Sequence, residues 1–152
     1  MLARPEGGTI VTVASVLGHL GASHLTDYAA AKAALIPMHT SLQAEAQGLA
    51  RTPDAPPGAK NIRFILVKPG QLLTPLFGEL KTPNSFLGPE VEPKVLAKKI
   101  VEMVEEGRGG VIAEPLYARY IEWVGILPHG LQKMIRLMSG VDTAMATVYR
   151  GV

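Results

Sequence analysis

The chain has 152 residues and no cysteine. That excludes disulfides, thiol catalysis and cysteine-ligated zinc, and it fits a reducing compartment. The four histidines (His19, His24, His39 and His129) lack the spacing of a metal site. His19 and His24 read as polar loop residues, and no metal is expected. Aromatic residues make up only 5% of the chain. The net charge is only +2, and the basic residues are scattered apart from short pairs such as Lys98-Lys99, so no nucleic-acid partner is expected. No apolar run reaches the roughly 18 residues that span a bilayer. The opening "MLARPEGG" lacks the apolar core of a signal peptide. Repeats and low-complexity tracts are absent. What remains, 47% hydrophobic and 18% charged, is the composition of one globular domain at most.

Six periodic segments stand out. "GTIVTVAS" (8–15) is a short β-branched run behind a double glycine, the pattern of a strand buried on both faces of a parallel sheet. "VLGHLGASHLT" (16–26) is a loop. From Tyr28 to about Leu49 the pattern is helical, with Leu35, Met38, Leu42 and Leu49 on one stripe and Asp27 as the expected N-cap. Pro37 should kink that helix or demand a local adjustment. After the proline-rich break at 51–60, "NIRFILVKPG" (61–70) is a second buried strand. The apolar loop 71–93 follows, then a helix over 94–106 ended by Gly107, then a strand at 109–115. From Leu116 an amphipathic helix is expected, broken at "LPHG" (127–130). Strand, helix, strand, helix, strand predicts an α/β fold with a parallel sheet built by right-handed crossovers.

Within "SHLTDYAAAKAAL" (23–35), Tyr28 and Lys32 stand four apart and so share a helix face. An ammonium held close to a phenol favours the phenolate, which makes tyrosine a usable acid or base near neutral pH. Ser15 stands at the end of a buried strand, thirteen residues earlier. The carboxyl ends of parallel strands are where open α/β sheets place their sites, and a serine hydroxyl there suits a substrate oxygen. "PGQLLT" (69–74) leaves the next strand at the same sheet edge. Alanines 29, 30 and 31 permit close approach of a flat ligand, although helix propensity alone also accounts for them.

Taken together, Ser15, Tyr28-x-x-x-Lys32 and Pro69-Gly70 with Thr74 resemble the short-chain dehydrogenase/reductase family. The resemblance covers nearly the whole chain but only the C-terminal part of that fold: a partial Rossmann-like sheet of three strands with covering helices, its N-terminal dinucleotide half missing. It implies hydride transfer between NAD(P), NADP more than NAD, and an alcohol or carbonyl. By position, Tyr28 would be the general acid/base. Lys32 would assist it and hold the nicotinamide ribose, and Ser15 would orient the substrate oxygen. Tyr28, Lys32, Pro69, Gly70, Leu72 and Thr74 would contact the cofactor. Leu76, Phe77, Phe86 and Leu87 would sit in the substrate loop, where they either face a lipophilic alcohol or ketone or pack onto the body.

The family's glycine-rich Thr-Gly-x-x-x-Gly-x-Gly turn, its Asn-Ala-Gly segment and its catalytic asparagine have no counterpart in the chain. Four strands of the full sheet would precede residue 1, so a truncated gene product is expected, with the serine strand left as an exposed apolar edge. Residues 1–115 would be the C-terminal part of the oxidoreductase domain and 116–152 an amphipathic helical tail. That tail is similar to those of fungal members near the retinol and hydroxysteroid dehydrogenases of endoplasmic reticulum and lipid droplets. Its apolar face either packs on the core, the first expectation, or lies on a membrane. The resemblance implies a homo-oligomer at full length, a small lipophilic substrate, and a location on the cytoplasmic side of the endoplasmic reticulum or a lipid droplet. The competing expectation is a non-catalytic interaction or membrane-associated remnant.

Overall fold

A computed structural model describes residues 1–73 and 89–142. Three strands, β1 (Gly8–Val13), β2 (Ile62–Pro69) and β3 (Gly110–Glu114), form a parallel sheet in the order β1-β2-β3. Three helices accompany them: α1 (Thr26–Leu49), α2 (Pro93–Glu105) and α3 (His129–Ser139). The parallel βαβαβ order expected from the hydrophobic runs is the observed one.

The central strand shows why β2 reads as a continuous apolar run. Its side chains alternate between two covered faces. Ile65 and Val67 point into a core made with Val91, Leu96 and Ile112, against which Leu72, Ile100 and Met103 pack. Phe64 points the other way, edge-on to His39 of α1 at 5.6 Å between ring centroids. Thus α1 covers one face and α2 the other. Both connections step in the same direction across the sheet while their helices lie on opposite faces, so the two crossovers have opposite hands. One of them departs from the right-handed rule expected above.

β1 is the edge of this sheet, as the sequence implied. Val13 is 44% exposed on the α2 side, whereas Thr12 and Ala14 are buried under α1. The turn at residues 1–7 closes the far end of the sheet, where the Asn61 amide donates to Pro5 O at 2.7 Å.

Several expectations on α1 need correction. Its N-cap is Leu25, which makes no side-chain cap, and Asp27 lies in the first turn instead. A carboxylate there still favours the positive end of the helix dipole. The expected stripe is only half covered: Met38 and Leu42 are exposed, and the buried residue of α1 is His39. An imidazole is tolerated there because Nδ1 lies 2.8 Å from the Thr12 hydroxyl. The helix runs through Pro37, and the Thr40 hydroxyl donates to the Pro37 carbonyl at 3.0 Å.

The tail differs too. Residues Leu116–Arg119 and Ile121–Ile126 form two 3-10 helices rather than an α-helix, and α3 begins after Pro128. Proline at 115 and 128 and glycine at 125 leave no uninterrupted stretch long enough for α-helical turns to propagate.

The burial pattern sets a stability contrast. Ile65→Ala, at a fully buried site, is expected to lower the unfolding free energy by about 2–5 kcal/mol. Val13→Ala at the edge is expected to cost less than about 1 kcal/mol. Urea unfolding of the two variants measures the difference.

Candidate functional site at the carboxyl ends of the strands

Ser15, Tyr28, Lys32, Pro69 and Gly70 are placed by elements that meet at the same edge. Strand β1 stops at Val13, and Ser15 caps the short 3-10 helix Val16–Gly18 by accepting from Leu17 N at 3.2 Å. Ser15 is buried, and its hydroxyl reaches the Pro69 carbonyl at 3.5 Å. That is the long limit of a hydrogen bond, so the proton is only loosely engaged and is available to a better acceptor.

Lys32, in the second turn of α1, crosses to the strand end, where its Nζ donates to the Val13 carbonyl at 2.9 Å. The same Nζ lies 5.7 Å from the centroid of the Tyr28 ring, within the range of attraction between a cation and an aromatic face. Gly18 makes this approach feasible. A Cβ there would come within 2.9 Å of the Lys32 backbone. Tyr28, Lys32 and Ser15 are thus held by one helix start, one strand end and the loop between them.

Pro69 ends β2, and the Gly70 amide donates to Glu114 O at 2.6 Å, tying the turn to β3. A Cβ on Gly70 would come 2.6 Å from the Tyr117 hydroxyl oxygen and 2.8 Å from Pro115 Cδ, so a larger residue would push these side chains aside. Burial raises the Tyr117 phenol above its ordinary value. Leu72 forms a parallel bridge with Val91 and packs on the core under α2. Thr74 and the loop candidates Leu76, Phe77, Phe86 and Leu87 lie outside the described residues.

Two features were not singled out in the sequence. Lys68, 4% exposed on the α1 face of β2, pairs with Glu122 of the second tail 3-10 helix at 2.9 Å. The register sets Ala113 beside it, which leaves room for its stem. The second feature is His19, expected as a polar loop residue, whose Nε2 is buried without a hydrogen-bond partner among the described residues. Burial first, and then the Lys68 charge, hold His19 below its ordinary value, opposed by Glu122. A lysine inside a strand and a histidine in a loop carry no spacing signal that would have marked them. A cleft of about 390 Å³, lined in part by Gln43, Gln47, Lys60 and Arg63, opens at the opposite end of the strands. It takes no part in this arrangement.

Residues 1–85 match the short chain dehydrogenase family, and the chain belongs to it. Among curated relatives, the uncharacterized oxidoreductase TDA5 of Saccharomyces cerevisiae is 38% identical over 136 residues, 90% of this chain and 39% of that protein. The uncharacterized oxidoreductase YDL114W of the same yeast is 28% identical over 145 residues, 95% of this chain and 46% of its own length. The 17-beta-hydroxysteroid dehydrogenase 13 of Rattus norvegicus is 33% identical over 102 residues, 65% of this chain and 29% of that protein. The chain therefore spans less than half the length of these relatives. Both yeast relatives are named as oxidoreductases and the rat relative as a hydroxysteroid dehydrogenase.

The buried histidine of α1 makes stability depend on pH. Burial holds His39 below its ordinary value of 6.5. The unfolded chain then binds the proton more readily than the folded one. The stability this neutral imidazole supports is complete above pH 6.5 and is lost as the pH falls towards the folded value. Unfolding midpoints between pH 7.5 and 5 are expected to drop with acidification, and to drop less in His39→Gln. Identical profiles would exclude His39 as a source of the drop.

Proposed function

We propose that the chain carries the catalytic part of an NAD(P)-dependent oxidoreductase that interconverts a lipophilic alcohol and its ketone or aldehyde. The observation that carries this reading is the Lys32 ammonium, fixed on the Val13 carbonyl and set against the Tyr28 ring beside buried Ser15. The residues present fit the nicotinamide end of such a cofactor. An ammonium has three donors, of which Val13 takes one, leaving donors for ribose hydroxyls. The Pro69-Gly70 turn brings backbone to the same edge. When bound, the nicotinamide supplies or accepts the hydride at the carbonyl carbon.

The chain's own groups handle the proton. In reduction the Tyr28 hydroxyl gives its proton to the carbonyl oxygen as the new C–H bond forms. In oxidation the phenolate takes the alcohol proton back. The Ser15 hydroxyl leaves its long contact with Pro69 and donates to the substrate oxygen, while the Lys32 ammonium stands beside the Tyr28 ring. The yeast relatives' names point to no particular substrate, whereas the name of the hydroxysteroid dehydrogenase supports a steroid-like member of the lipophilic class. A lipophilic substrate partitions into apolar phases, and the cytoplasmic face of the endoplasmic reticulum or of a lipid droplet is the location we propose. Among the described residues no helix is long and apolar enough to cross a membrane.

The competing reading is a non-catalytic interaction or membrane-associated remnant. Both readings are tested by joining the chain to the N-terminal part of the yeast TDA5 relative. The chimera is expected to reduce lipophilic ketones with NADPH or NADH, and Tyr28→Phe to lower its turnover by at least about 10²-fold. Variant turnover close to that of the parent chimera would remove Tyr28 from its role. A chimera that binds either cofactor but turns nothing over would favour the remnant.

A further inference from the structure

The tail presents an apolar surface that the catalytic reading does not use. In the 3-10 helix Ile121–Ile126, residues three apart eclipse one another. Glu122 points to the sheet and pairs with Lys68. Tyr120, Trp123 and Ile126 fall on another edge of the coil and are all exposed, Trp123 at 63% and Ile126 at 79%. Directly after it, α3 is amphipathic, with Leu131, Met134, Ile135 and Met138 at helical spacing. None of its residues is buried, and Met138 is 63% exposed. The Gln132 amide donates to Leu127 O at 2.7 Å, tying α3 to the end of the 3-10 coil. Of the apolar tail residues that could pack on the core, Tyr117, Ile121 and Val124 are half-buried, whereas Tyr120 and Ile126 stay uncovered among the described residues.

The charges indicate what covers the exposed side chains. Residues 116–142 hold two carboxylates, and both are neutralised: Glu122 by Lys68 and Asp142 by Arg136. Arg119 and Lys133 are exposed and have no anionic partner among the described residues. The segment thus couples uncovered aliphatic and aromatic stripes to uncompensated positive charge. Tyrosine and tryptophan suit a boundary between apolar and wet surroundings, and flexible Leu and Met side chains need no shaped pocket opposite them. This is the chemistry of a helix lying in the headgroup region of an anionic lipid surface.

We propose that Tyr120, Trp123 and Ile126, with the apolar stripe of α3, form a docking surface for an anionic phospholipid membrane, with Arg119 and Lys133 facing the headgroups. The proposal stands apart from catalysis and is tested without an activity assay. Trp123 is the chain's only tryptophan, so its emission reports on this surface alone. The full 152-residue chain is mixed with phosphatidylcholine vesicles that contain, or lack, phosphatidylglycerol. With the anionic vesicles the emission is expected to shift to the blue and the protein to sediment with the lipid, and added salt should weaken both effects. Ile126→Glu with Met138→Glu, both at exposed positions and checked for folding by circular dichroism, is expected to weaken binding by at least about tenfold. Four results would overturn the proposal. They are unchanged emission with both vesicle types, equal binding to neutral vesicles, equal binding by the double variant, and a blue shift that grows with protein concentration in the absence of lipid. The last would assign the surface to a second copy of the chain.

Discussion

The hydrogen bond from the Lys32 ammonium to the Val13 carbonyl organises the site. Successive residues of a strand direct their backbone groups to opposite sides. Ala14 N bonds to Val67 of β2, so the Val13 carbonyl faces the open edge of β1. Left alone it would be an unpaired polar group at a strand end. Lys32 takes that carbonyl at 2.9 Å, and in doing so sets the start of α1 against the end of β1. Tyr28, one turn earlier, follows from that placement, as does the close packing of Gly18 on the Lys32 backbone. One side chain therefore closes a strand end, sets a helix and stands beside the phenol.

The parts of the fold that were legible in the sequence were those with a local physical signature. β-branched runs behind glycine marked the strands. Proline and glycine marked their ends, and the i, i+4 spacing placed Tyr28 and Lys32 on one face. The parts that escaped depend on partners distant in the chain. Nothing near His39 announces that Thr12, 27 residues earlier, will satisfy its ring, so a stripe of leucine and methionine seemed the better core face. The opposite hands of the crossovers follow from which face of β2 each helix covers, and a central strand apolar on both faces does not reveal that. The 3-10 coil of the tail looked like an amphipathic α-helix because a period near three and one near 3.6 are hard to separate over six residues.

Two ends of the sheet have different tasks. The N-terminal end is closed by the turn at residues 1–7 and by the Asn61 contact with Pro5. The carboxyl end collects Ser15, Lys32, the Pro69-Gly70 turn and the Lys68–Glu122 pair. A buried lysine pair is a costly way to attach a tail, because desolvation offsets much of the Coulomb attraction. It does, however, fix direction: with Glu122 held inward, the 3-10 geometry turns Trp123 and Ile126 outward. The same contact that seals the α1 face of the sheet edge thereby orients the apolar surface of the tail.

In the proposed mechanism the ammonium of Lys32, placed by the Val13 carbonyl, serves the chemistry at Tyr28. The most direct measurement is the steady-state rate of carbonyl reduction by the TDA5 chimera carrying Lys32→Met, which keeps the apolar stem and removes the charge. Loss of charge-assisted hydrogen bonds, worth about 1.5–3 kcal/mol each, together with loss of the cation beside the phenol, predicts a fall in kcat/KM of about 10²-fold or more. A Lys32→Met chimera that folds normally and turns over at the parent rate would contradict it.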